Sequence, residues 1–95
     1  MYDNNIKFES CPKILLYHFR TGQVIGNYFP DLIIDNKIII EIKAQNQIFN
    51  NHVNQLIRYL SLTKLEIGFI VNFGTPNVQI IRRIYTNDRK PFLHR

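Results

Sequence analysis

The sequence predicts an α/β fold on a mixed sheet, with elements in the order β-β-β-α-β-β. Three observations carry this reading. Aliphatic and aromatic runs occupy residues 13–19, 24–34 and 38–43, the last strongly β-branched. One helical stripe follows: Val53, Leu56, Ile57 and Leu60 recur at i, i+3, i+4 and i+7. Two further aliphatic runs, 67–73 and 78–85, then close the order.

Taken in turn, residues 13–19 read as a first strand. Arg20-Thr21-Gly22-Gln23 reads as a turn in which Gly22 supplies a positive φ. The second extended segment, 24–34, is interrupted at Gly26 and Pro30, which predicts a bend or a sheet edge. The third strand is 38–43. Asn50 or Asn51 offers an N-cap for the helix, which ends near Thr63. Gly74-Thr75-Pro76 closes the fourth strand, and 78–85 is the fifth.

The hairpin joining the second and third strands has a register that can be argued. A two-residue loop at Asp35-Asn36 would put Asp31 and Glu41 on opposite faces. A three-residue loop, Asp35-Asn36-Lys37, with Asn36 or Lys37 left-handed, pairs Ile34 with Ile38, Ile33 with Ile39 and Asp31 with Glu41. One face is then wholly aliphatic, with Leu32, Ile34, Ile38, Ile40 and Ile42. The other carries Asp31, Glu41 and Lys43 beside Ile33 and Ile39. A one-residue slip would mix charge into the aliphatic face, so the hydrophobic pattern selects the register that also gathers the three charged residues.

Ninety-five residues allow one small domain, 1–95, with 86–95 read as a solvated basic tail. A hydrophobic content of 45% excludes a disordered chain. The formal charge of +5 favours a polyanionic partner. Cys11 is the only cysteine, so neither an intrachain disulfide nor a cysteine-based zinc site can form within the chain, and a reducing cytoplasm is expected. The polar opening predicts no signal peptide, and no apolar run is long enough to span a bilayer.

Two carboxylates and an ammonium at the end of an aliphatic hairpin are the parts of a metal-dependent phosphodiester-cleaving site. Asp31 and Glu41 could each give an oxygen to Mg²⁺ or Mn²⁺, and the backbone carbonyl of Ile42 a third. Lys43 could orient a water or offset charge on phosphorus. On spacing alone an alternative stands beside this one: a surface cluster in which Lys43 pairs with an acid.

Pro30-Asp31 with Glu41-Ile42-Lys43 resembles the PD-(D/E)XK nuclease motif. Further segments match in order: Ile6-Lys7-Phe8-Glu9, Arg20-Thr21-Gly22, Tyr28-Phe29-Pro30-Asp31-Leu32, residues 37–44, His52-x-x-Gln55-Leu56-x-x-Tyr59-Leu60 and Asn72-Phe73-Gly74. Together they resemble the bacterial GxxExxY proteins of the PD-(D/E)XK superfamily. The resemblance implies a restriction-endonuclease-like core with Asp31, Glu41 and Lys43 as signature residues, and a DNA or RNA substrate. The Gly-x-x-Glu-x-x-Tyr segment of an N-terminal helix, for which that family is named, does not occur in this sequence. An uncovered sheet face is therefore expected, to be closed by a second copy or another chain. The resemblance also makes Gln55 the helix residue expected to face the site. His52 and Tyr59 lie on the same stripe as substrate-contacting candidates, and Arg82 is a third. The alternative function is an inactive nucleic-acid-binding or protein-interaction module that keeps the fold.

Overall fold

The computed structural model describes residues 6–94. Seven strands and one helix run β1 (Phe8–Ser10), β2 (Ile14–Tyr17), β3 (Val24–Tyr28), β4 (Leu32–Ile34), β5 (Ile38–Lys43), α1 (Asn50–Ser61), β6 (Ile67–Asn72) and β7 (Gln79–Ile84). Five strands form a mixed sheet in the order β1-β4-β5-β6-β7, while β2 and β3 form a separate antiparallel pair. The α/β class holds, and α1 supplies the crossover between parallel β5 and β6.

Two features refine the expected elements. The segment 24–34 splits at Phe29–Pro30: β3 pairs with β2, and β4 pairs with β1 and β5. Pro30 has no N–H to give a ladder, so one strand cannot run through it. Ile25 bulges where Leu16 pairs with Gly26 but Tyr17 pairs with Val24. The short strand β1 was hidden in a polar sequence and forms only because β4 offers it an edge.

The β4–β5 register is the three-residue-loop register: Leu32 pairs with Ile40, Ile33 with Ile39 and Ile34 with Ile38. The left-handed residues are Asp35 (φ 56°) and Asn36 (φ 55°), rather than Lys37. An Asp–Asn pair meets the two positive φ values of such a turn with short polar side chains. Gly22 takes its expected positive φ, 76°.

Helix α1 begins one residue earlier than an Asn cap would place it. Phe49 is the N-cap, and its N–H donates to His52 Nδ1 at 3.1 Å, so the histidine ring reaches back to the cap as a third-position Glu or Gln does in a capping box. Leu56 and Leu60 are buried on the helix's apolar stripe. The helix lies over β6 and β7 at close range: a Cβ on Gly68 would fall 2.6 Å from Leu56 Cδ1. The core comprises Tyr28, Ile33, Ile39, Leu56, Leu60 and Ile70, all on this side of the sheet.

Residues 86–94, the described part of the segment expected as a solvated tail, fold back on the molecule. Two 3-10 turns, Asn87–Arg89 and Pro91–Leu93, dock back on the molecule. Phe92 is buried and stacks on Tyr17, with ring centroids 5.4 Å apart. Lys90 is fully buried, and its ammonium donates to the Thr63 and Leu65 carbonyls (2.9 and 2.6 Å) and to Asn87 Oδ1 (2.7 Å). Burial pulls its pKa down to about 8 against the opposing charge of Glu66, and the three acceptors satisfy the ammonium's donors.

Candidate active site

Strand β4 begins one residue after Asp31, so Asp31 leaves the ladder and spends its polar groups on fixed partners. Its side-chain Oδ2 accepts the Ile42 N–H at 2.7 Å. Its own N–H points to Glu41 Oε1 at 3.4 Å, and its carbonyl accepts the Cys11 N–H at 3.0 Å. Asp31 and Glu41 are thus linked in a cycle through the Ile42 amide, and both carboxylates are fixed relative to one strand.

Glu41 and Lys43 alternate with Ile40 and Ile42 along β5, which puts them on the helix side of the sheet. Their parallel partners Ile70 and Asn72 are buried on that same side. The phenol of Tyr28 donates to Glu41 Oε2. Tyr28 itself lies flat on Tyr59, with centroids 3.7 Å apart and an interplanar angle of 17°. Burial raises the Glu41 pKa, opposed by the Asp31 N–H and by the charge of Lys43.

A narrow cleft is lined by Glu41, Lys43, His52, Gln55, Leu56, Tyr59 and Ile70. It gathers the three helix residues expected at the site, His52, Gln55 and Tyr59, while Asp31 is not part of its lining. Gln55 Nε2 donates to the Tyr59 hydroxyl at 3.3 Å. The His52 Nδ1 is an acceptor for Phe49, which leaves Nε2 as the nitrogen that carries the proton in the neutral ring. Arg82 is placed elsewhere. It pairs with Phe69 on β6, a residue of the opposite sheet face, so it does not share a groove with Glu41 and Lys43. Two grooves beside β1 and β2 are lined by none of Asp31, Glu41 and Lys43.

Two contributors escaped the sequence reading. Tyr28 reaches Glu41 only because the β2–β3 pair folds over the sheet. Asn72 is fully buried and clamps two loops: Oδ1 accepts the N–H groups of Gln45 (2.9 Å) and Gly74 (3.1 Å), and Nδ2 donates to the Gln45 carbonyl (2.9 Å). Both lie inside runs already singled out, Tyr28-Phe29-Pro30-Asp31 and Asn72-Phe73-Gly74. Their roles needed the tertiary structure.

The donor set suits a hard cation. Asp31 and Glu41 offer carboxylate oxygens. The N–H and C=O of a strand residue leave on the same side, so the Ile42 carbonyl is directed to the side from which Asp31 approaches its amide. Among the described residues there is no cluster of three His, Cys, Asp or Glu side chains that could hold a metal alone. No described helix is long and apolar enough to cross a membrane.

No curated protein and no solved structure matches the chain. A family model does, across residues 1–84, and those residues include every group placed around Glu41. With that match over most of its length, the chain belongs to the PD-(D/E)XK nuclease superfamily.

Proposed function

We propose that the protein is a Mg²⁺- or Mn²⁺-dependent nuclease of the GxxExxY kind, hydrolysing phosphodiester bonds in DNA or RNA. The observation that carries this reading is the cycle joining Asp31, the Ile42 amide and Glu41, with Lys43 two residues along the same face. Asp31, Glu41 and the Ile42 carbonyl would hold the cation, which when bound would acidify a water and offset charge on the phosphate. Tyr28 and the Asp31 N–H keep the Glu41 carboxylate in place. Lys43 orients the attacking water or meets charge developing on the phosphate oxygens. Gln55, at the mouth of the cleft, holds a water or a phosphate oxygen, with His52 and Tyr59 beside it.

The test is cleavage of a panel of labelled DNA and RNA substrates with Mg²⁺ or Mn²⁺, comparing the native chain with Asp31→Ala. Metal-dependent cutting by the native chain should fall at least 100-fold in the variant, about the loss expected when an electrostatic catalytic group is removed. Equal cutting by both proteins would sink the assignment.

A second reading draws on the uncovered sheet face. Phe8, Ile42, Ile80 and Ile84 are 69%, 45%, 64% and 46% exposed on the side away from α1. Patches of this kind mark association surfaces. A protein-interaction module that keeps the nuclease fold, closed by a second copy or another chain, accounts for that face. Association that grows with concentration, without turnover on any substrate, would favour it.

A further inference from the structure

We infer that the site, read as a nuclease site, takes an unpaired nucleic-acid strand and holds its bases by stacking on phenylalanine. Four phenylalanines are more than half exposed: Phe8, Phe29, Phe49 and Phe73, at 69%, 58%, 53% and 58%. Three of the four lie at the edge of the sheet where Asp31 and Glu41 meet. Phe29 sits between Tyr28, which touches Glu41, and Pro30-Asp31. Phe49 caps the helix, its ring centroid 5.9 Å from that of His52 in the cleft. Phe73 donates its N–H to the Lys43 carbonyl at 2.9 Å. Exposed phenyl rings cost solvation, and clustering three of them around a carboxylate site needs a reason.

The charge at this edge points the same way. Residues 28–31, 41–57 and 72–77 contain one lysine, Lys43, and no arginine. A duplex shows its backbone outward and is held mainly by cations on phosphates. This rim offers few: Lys43, and Arg58 in the groove along α1 with Asn51 and Gln55. It offers side-chain amides instead, from Gln45, Asn46, Gln47, Asn50 and Asn51. Rings that stack and amides that bond base edges engage bases that are not paired, and such platforms serve single-stranded DNA and RNA alike.

The rim is also prebuilt. Buried Asn72 ties Gln45 to Gly74, and a Cβ on Gly74 would come within 2.2 Å of the Gln45 backbone, so the loops that carry Phe73 and the amides touch and are locked together. Rigid placement lowers the ordering cost of binding.

Fluorescence anisotropy in metal-free buffer separates the outcomes. The probes are oligothymidine, oligouridine, an abasic strand of equal length and the corresponding duplex. Oligothymidine or oligouridine should bind about tenfold more tightly than the abasic strand and the duplex. Phe49→Ala and Phe73→Ala should each weaken single-strand binding by about tenfold, Phe73→Trp should restore it, and Phe8→Ala on the far face should leave it unchanged. Circular dichroism of each variant checks that the fold is kept. Abasic or duplex binding as tight as single-strand binding, or alanine variants that bind like the native chain, would overturn the inference. Asp31-dependent cleavage of duplex and single strands alike, with binding blind to bases, keeps the nuclease reading and removes this one. Base-dependent binding without cleavage under any metal does the reverse.

Discussion

On one face of the β4–β5 hairpin, Ile33 and Ile39 are 3% and 0% exposed and share the surface with Glu41 and Lys43, with Asp31 at its margin just before β4. On the other, Leu32, Ile34, Ile38, Ile40 and Ile42 carry no charge, yet Ile42 is 45% exposed and its neighbours are only half-buried. The more apolar face is the less buried one. What decides burial here is which element lies above: α1 and the β2–β3 pair cover the charged face, and no described element covers the aliphatic one. Charge survives on the covered side because it sits at the strand end and each carboxylate has a donor: Tyr28 for Glu41, and the Ile42 amide for Asp31.

Substitution across the hairpin tests this contrast, the largest effect coming first. Ile39→Ala should destabilise the fold by about 3 kcal/mol, the cost of a cavity in a closed core, whereas Ile40→Ala should cost about 1 kcal/mol because solvent fills the gap. Urea unfolding gives both numbers, and equal losses would erase the distinction between the faces.

A smaller effect comes from Glu41. Burial raises its folded pKa above the unfolded value, so the folded state binds the extra proton and stability falls as pH rises through that window. In metal-free buffer Glu41→Gln should therefore be more stable than the native chain at pH 7, and the advantage should vanish by about pH 4, where both states are protonated. An advantage that persists at low pH would assign the gain to something other than charge. The smallest change is expected at Ile80, 64% exposed on the bare face. Ile80→Ser should shift stability by less than about 0.5 kcal/mol while reducing any self-association seen by light scattering.

The register of the hairpin was legible because alternation of charge and aliphatic residues admits only one slip-free pairing; that pairing holds for Leu32–Ile34, while Asp31 reaches Glu41 by hydrogen bonds outside the ladder rather than as its paired partner. The helix stripe was legible for a similar reason: Leu56 and Leu60 recur at the period of the buried face. The parts that could not be read depend on distant partners. Phe8–Ser10 becomes a strand only against β4. The cap at Phe49 works through a histidine three residues on. Lys90 reads as a surface charge until the Thr63 and Leu65 carbonyls close around its ammonium. Which face of the sheet would be covered could not be read from the hairpin either, since its composition argues for the wrong side.

Cys11 gives the molecule an experimental handle. Its thiol is exposed and is the sole cysteine in the sequence, and its backbone, held at a φ of 48°, donates to the carbonyl of Asp31. A maleimide dye would label the native chain at one position, on the turn that anchors the first carboxylate. Its emission then becomes a reporter for ion or oligonucleotide arrival, readable in real time on an unmutated sequence.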